Sequence, residues 1–192
     1  MSGTSGSGSG SGPGPRVGDE LPPLEIPITR TLIVAGAMAS RDFQDVHHDA
    51  EAARSKGSPD VFMNILTTNG LVGRYVTDCL GTRAALRRVA IRLGVPNYPG
   101  DTMVLRGTVA SVDECPAAAP DFAAPDTGGT EATRIAEVRI VGTNSLGRHV
   151  TGTVTVLLPA ALPAAHPAAT EPVAVGENPG GAGSAGNGGG DR

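Results

Sequence analysis

From Asp60 to Leu80, apolar side chains recur at Phe62, Ile65, Leu66, Val72, Tyr75, Val76 and Cys79, which is the spacing of one long helix. Beyond Leu80 the period changes to two. Leu86–Leu93, Met103–Val112, Arg134–Thr143 and His149–Leu158 alternate as half-buried strands do. Asn144-Ser145-Leu146-Gly147 reads as the hairpin loop between the last two, with Gly147 free to take positive φ. A long helix followed by four antiparallel strands predicts an α+β domain in which a curled sheet covers the helix. Because Val61, Gly70, Leu71 and Gly73 spread apolar and small residues around this helix, cover on most of its sides is expected.

Upstream, Leu24–Thr31 reads as a first strand and Leu32–Ser40 as a short helix of small apolar residues. Asp49 is placed to cap a short helix over Ala50–Lys56, which Gly57 ends. Ser58-Pro59-Asp60 carries the signature of an N-cap followed by proline at the first helical position. Residues 114–133, with Pro116, Pro120, Pro125 and Gly128-Gly129, are too long for a hairpin connection and are expected to form a mobile surface insertion. Of the 28 glycines, six fall in residues 1–16 and eight in 159–192, both poor in large apolar side chains. Prolines 159, 163, 167, 172 and 179 also block continuous helix in the second stretch. The two ends are therefore expected to be disordered tails, leaving 17–158 as a single domain.

The formal net charge is −4, and Lys56 is the one lysine among 15 basic residues, so a nucleic-acid-binding basic face is not expected. No apolar run is long enough to span a bilayer, so no membrane association is expected. Met1–Gly14 is a Ser/Gly repeat without the apolar stretch of a secretory signal. Cys79 and Cys115 form neither a metal spacing nor a disulfide framework. A cytoplasmic, reduced protein is the resulting expectation.

Candidate chemistry concentrates in Arg41-Asp42-Phe43-Gln44-Asp45-Val46-His47-His48-Asp49, a polar stretch with no period. Asp42 and His47 would point about 140° apart on a helix and can converge only across a loop. A carboxylate and an imidazole meeting on one water form an acid/base pair near neutral pH. Capping or turn duty is the alternative for such a pair. Asp45 and Asp49 read as a turn and a cap, and His48 as a solvated neighbour. Asp42, His47, His48 and Asp49 find no further ligand at a matching spacing, so no metal is expected. Phe43 and Phe62, two of five aromatic residues, either line a pocket or pack in the core. Arg87, Arg88 and Arg92 suit either phosphate contact or an exposed face, and His149 and His166 belong to no pattern.

The spacing Asp42, Val46, His47, Asp49 fits D-x-x-x-[VIL]-H-x-D, preceded by a strand and small-residue helix and followed by the long helix. It resembles the hydratase motif of MaoC-like enoyl-CoA hydratases, which have the hot-dog fold. The likeness covers most of 17–158, including Tyr98-Pro99-Gly100-Asp101-Thr102 and Asn144–Gly147. More specifically, Arg41–Asp49, Asn64-Ile65-Leu66-Thr67, Arg74-Tyr75-Val76-Thr77-Asp78 and Arg92-Leu93-Gly94-Val95-Pro96 together resemble the small MaoC-like subunit of actinobacterial steroid side-chain hydratases.

The resemblance implies hydration of an α,β-unsaturated acyl-CoA, with CoA entering as part of the substrate and no separate cofactor. Asp42 and His47 would hold and activate the water, and one of them would return a proton to Cα. A backbone donor at the start of the central helix would hold the thioester oxygen. Met63 and Asn64 stand where the family usually has His-Gly, which assigns substrate contact to Asn64 and favours a helix start near Phe62 or Met63 over one at Ser58. Gly94, with Val95, falls where related hydratases run acyl-CoA past the sheet edge. The resemblance further implies a larger MaoC-like partner subunit, forming a heterodimer that doubles to a heterotetramer. Two alternatives remain: a hot-dog thioesterase, for which the helix offers only Asp60 and Asp78 as carboxylates, and a non-catalytic scaffold for a partner's site.

Overall fold

A computed structural model describes residues 14–81, 84–115 and 133–159. The expected tails up to residue 13 and beyond 159, and most of the expected insertion (116–132), lie outside the described residues. The elements run β1 (Glu20–Pro27), α1 (Arg30–Ala39), a 3-10 turn (Asp45–His47), α2 (Ala50–Ser55), α3 (Ile65–Leu80), β2 (Ala85–Leu93), β3 (Thr102–Cys115), β4 (Thr133–Asn144) and β5 (Gly147–Pro159). The strands form one antiparallel sheet in the order β1-β3-β4-β5-β2, with α3 packed on one face. This is the hot-dog fold. No helix among the described residues is long and apolar enough to cross a membrane.

Several boundaries differ from the sequence expectation: β3 and β4 reach into the ends of the expected 114–133 insertion, at Cys115 and Thr133, and three other differences have a local reason. β1 begins four residues earlier than Leu24 because Pro22-Pro23 occupies a register shift between Leu21 and Leu24. On an edge strand at a bulge, a missing N–H removes no essential ladder bond. α1 begins at Arg30 because the Thr29 side chain accepts a hydrogen bond from the Leu32 N–H and caps it. α3 begins only at Ile65, later than Phe62 or Met63, because Asn64 is its cap. The Ser58-Pro59-Asp60 signature closes a turn instead. There Ser58 Oγ donates to the Asp60 carbonyl, and the Asp60 carboxylate binds the Val61 N–H and a bidentate Arg30.

α3 buries one face rather than most of its surface. Val72, Tyr75, Val76 and Leu80 pack on the sheet among Met103, Leu105, Val109, Val138, Ile140, Val154 and Val156. Ile65, Leu66, Gly70, Arg74 and Asp78 fall on the opposite, exposed side. The apolar residues spread around the helix thus did not require cover on every side. Burial of each large side chain on the sheet face contributes about 1.5–3 kcal/mol before conformational entropy is subtracted. Gly73 lets β2 approach, since a Cβ there would stand 3.1 Å from Leu86 Cδ2. Tyr75 donates its hydroxyl to the Pro22 carbonyl (3.0 Å) at the β1 bulge, and burial pushes its pKa up.

The β4–β5 hairpin closes at Asn144 and Gly147, the latter at φ +124° as expected. Asn144 Nδ2 donates to Asn97 Oδ1 (2.8 Å) and the Pro96 carbonyl (2.9 Å). The Asn97 carbonyl accepts the Met63 N–H at 3.1 Å. The hairpin tip thereby holds the segment that leads into α3.

Candidate active site

Asp42 reaches the site through the way α1 ends. Ser40 is the C-cap, the Arg41 N–H bonds the Met38 carbonyl (3.1 Å), and the Asp42 N–H bonds the Ala37 carbonyl (2.9 Å). This is a Schellman closure, which places its next-to-last residue in the left-handed region. Here that residue is Arg41, at φ +57°, the one non-glycine with positive φ among the described residues. Such a conformation costs an arginine about 1 kcal/mol or more. It delivers Asp42 directly off the helix end.

His47 closes the 3-10 turn and is 6 % exposed. Its Nδ1 lies 2.7 Å from the Phe62 carbonyl, and the Phe62 ring meets the imidazole edge-on at 5.0 Å between centroids. A carbonyl oxygen only accepts, so Nδ1 carries the proton of the neutral ring. Nε2 is then the proton-binding nitrogen, and it stands 3.4 Å from Asp42 Oδ2. The sequence expectation that Asp42 and His47 converge across a loop matches this geometry.

Asn64, only 2 % exposed, joins both ends. Its Nδ2 donates to Asp42 Oδ2 (3.0 Å) and to Ser40 Oγ (2.9 Å), while its Oδ1 accepts the Thr67 N–H (2.9 Å). The α3 N-terminus therefore abuts the Asp42 carboxylate, with the positive end of the helix dipole beside the negative charge. Within the helix, the N–H groups of Ile65 and Leu66 have no carbonyl four residues back to bond. The Met63 N–H is already engaged by Asn97.

The other candidates sort by position. Asp49 caps α2 through the Glu51 and Ala52 N–H groups, as expected. Asp45 pairs with Lys56, whose ammonium holds the Asp45 carboxyl below its usual range. His48 is exposed, with Nε2 at 3.3 Å from the Phe43 carbonyl. Phe43 is 66 % exposed, whereas Phe62 packs on His47 and Tyr98. Gly94 donates its N–H to the His149 carbonyl, and a Cβ there would stand 2.3 Å from the Arg148 carbonyl oxygen. These contacts are with β5. Asp60 precedes α3 and is tied to Arg30, and Asp78 pairs with Arg74 on the exposed face; neither reaches this pair.

Two buried polar residues here belong to no sequence pattern. His149, 1 % exposed, donates Nδ1–H to the Val95 carbonyl (2.7 Å) and faces Thr68 Oγ1 with Nε2 at 3.0 Å. Thr68 sits on the first turn of α3, with its Oγ1 3.3 Å from the Asn64 carbonyl. Burial lowers the His149 pKa, and the Val95 acceptor only partly offsets this. The pairing spans 81 residues of sequence, so no local signal reveals it.

Known proteins similar to this chain identify its family. None of the protein-family models matches the chain. The β subunit of 3-oxo-4,17-pregnadiene-20-carboxyl-CoA hydratase from Mycobacterium tuberculosis is 44 % identical over 138 residues, covering 72 % of this chain and 92 % of that one. Among solved structures, the ChsH1–ChsH2 complex from Mycobacterium tuberculosis matches with a TM-score of 0.60 and 42 % identity, over 73 % of this chain and 96 % of that one. A MaoC-like dehydratase from Rhodospirillum rubrum shares the fold at a TM-score of 0.57 and 19 % identity, over 75 % and 92 % of the two chains. On the strength of the 44 % relative and the shared fold, the chain belongs to the MaoC-like hot-dog hydratases and is a hydro-lyase.

Proposed function

We propose that the chain is the smaller, catalytic subunit of an enoyl-CoA hydratase that acts on a steroid side-chain thioester. The observation that carries the reading is the His47–Asp42 pair, with Nε2 aimed at Oδ2 across 3.4 Å and Nδ1 fixed by the Phe62 carbonyl. In this reading, water binds between Asp42 and His47. Neutral His47 takes a water proton at Nε2 as the oxygen attacks Cβ of the enoyl group. The π electrons move onto the thioester oxygen, which a backbone N–H at the start of α3, that of Asn64 or its neighbour, receives with help from the helix dipole. The imidazolium, held opposite the Asp42 carboxylate, then returns its proton to Cα. One water is added and no electron leaves the system, so no cofactor is needed beyond the CoA of the substrate.

Asn64 replaces the glycine of the family pattern without turning its side chain outward, because its carboxamide is spent on Asp42, Ser40 and Thr67. Close approach of a thioester to the local backbone is therefore compatible with the substitution. The steroid acyl group and the partner rest on the relatives' names: one acts on a pregnadiene-carboxyl-CoA, and the other was solved as a two-component complex. We further propose that the chain pairs with a larger hot-dog subunit, that the pair doubles to a heterotetramer, and that the enzyme works in the cytoplasm. Exposed Met38, Phe43, Ile65 and Leu66 around the Asp42–His47 loop and the α3 start provide apolar surface for the acyl group or the partner to cover.

The test is loss of enone absorbance on adding 3-oxo-4,17-pregnadiene-20-carboxyl-CoA or a short-chain enoyl-CoA to the chain co-expressed with its partner subunit. Wild type is expected to hydrate the steroid thioester faster, and Asp42→Asn to lose about 10²–10⁴-fold in rate. Unchanged activity in Asp42→Asn would move the chemistry to the partner, and release of free CoA thiol would indicate thioester hydrolysis instead.

A further inference from the structure

We infer that Asn64 is a positioning residue whose side-chain amide holds the Asp42 carboxylate toward His47. The inference rests on the assignment of Asp42 to water activation and goes beyond the substrate contact expected for Asn64 from its place in sequence.

Capping α3 requires only an acceptor, which serine, threonine or aspartate supplies as well as asparagine. The structure uses the donor half of the amide too. One Nδ2 hydrogen goes to Asp42 Oδ2 and the other to Ser40 Oγ. Ser40 passes its own hydroxyl hydrogen to the Gly36 carbonyl at 2.7 Å and so presents a lone pair to Asn64. The orientation of the amide is fixed by its surroundings, because a backbone N–H at Thr67 requires oxygen on one side and a carboxylate requires nitrogen on the other. All three polar positions of the side chain are engaged at 2 % exposure, where an unmatched group would be costly.

The oxygen that Asn64 grips is the one 3.4 Å from His47 Nε2. A carboxylate one bond beyond an exposed loop has two χ angles to settle. Of these contacts, the amide is what selects the rotamer that faces the imidazole. It also ties the end of α1, which carries Ser40 and Asp42, to the start of α3. A glycine in this place offers neither group.

The experiment uses the chain purified as a complex with its partner subunit. Asn64→Ser and Asn64→Thr keep the cap on Thr67, yet their side chains are too short to reach Asp42. Misplacing a reacting group by about 1 Å costs on the order of 100-fold, so kcat should fall about 10- to 100-fold in both variants. KM for the enoyl-CoA should stay within about twofold and the melting temperature should barely change, since the cap survives. A loss confined to kcat is the signature of misplaced catalytic machinery, which a purely structural cap would not produce. Unchanged kcat in both variants, with Asp42→Asn inactive in parallel, would overturn the positioning role alone. A raised KM at constant kcat would return Asn64 to substrate contact and overturn it as well. If Asp42→Asn is itself fully active, the hydratase reading of Asp42 and this inference fall together.

Discussion

Replacing His149 by glutamine should flatten the pH dependence of folding stability between pH 7.5 and 5.5. In the fold His149 is 1 % exposed, gives its Nδ1 proton to Val95, and faces a hydroxyl on the first turn of α3 rather than a carboxylate. Burial lowers its pKa below the ordinary 6.5. Below pH 6.5 the unfolded chain therefore binds a proton that the folded chain resists. Stability is complete above that value and falls as pH drops toward the folded pKa. One group of this kind removes at most about 1.4 kcal/mol between pH 7.5 and 5.5, the full weight of one proton over one pH unit. With a urea slope of about 2 kcal/mol/M, the unfolding midpoint should move down by as much as about 0.7 M in wild type. His47 and His48 remain in the variant, so the difference between the two pH profiles isolates His149. Urea unfolding followed by circular dichroism at three pH values is sufficient. Parallel profiles in wild type and His149→Gln would refute the reasoning, because the fold would then accommodate the charged ring at no cost. Rotation of the Thr68 hydroxyl toward the Asn64 carbonyl is the structural route by which that could happen.

Gly94→Ala should cost about 1–3 kcal/mol, since its Cβ would lie 2.3 Å from the Arg148 carbonyl oxygen, a backbone atom that moves only with β5. Thermal unfolding reads this directly, and an unchanged melting temperature with a raised KM would show that Gly94 serves the acyl-CoA rather than the packing. Arg41→Gly should leave activity intact and raise stability by roughly 0.5–1 kcal/mol. The gain is the relief of a left-handed arginine less the extra freedom of glycine in the unfolded chain. A stability loss above about 1 kcal/mol in chemical denaturation would mean that the arginine side chain itself holds the turn.

Much of the fold was legible because its signals are local. Strict alternation marked β3, β4 and β5, a helical period marked α3, and Asp49 announced its own helix. Where the reading slipped, a tertiary partner had reassigned a local signal. Ser58-Pro59 looks like a helix start, but Arg30 claims Asp60 from thirty positions away and the segment turns instead. The Asp42–His47 pair was visible as a spacing, yet the device that joins it was not. That device is a helix end closed by an arginine where glycine is the usual signal, and a cap residue whose second hand reaches back 22 positions. Buried Thr68 and His149 could not be paired from sequence at all, since hydrogen bonds across 81 residues leave no periodicity.

The site lies where those rules bend. Asp42 follows the C-terminus of α1, where the helix dipole disfavours a negative charge, and faces the N-terminus of α3, where the dipole favours one. Each dipole contributes about 0.3–1 kcal/mol at such a position, so the two roughly cancel. What remains to decide where the carboxylate points are contacts of definite geometry: the left-handed Arg41 that aims it and the Asn64 amide that holds it. A glycine at 41 would ease the turn, and a serine at 64 would cap α3 equally well. Of the two, the over-equipped Asn64 is the one that folding alone does not call for, since its donor half is spent on the carboxylate. A left-handed turn and a fully matched buried amide gathered on one carboxylate are what a site needs to present that group to an imidazole and a water in a single arrangement.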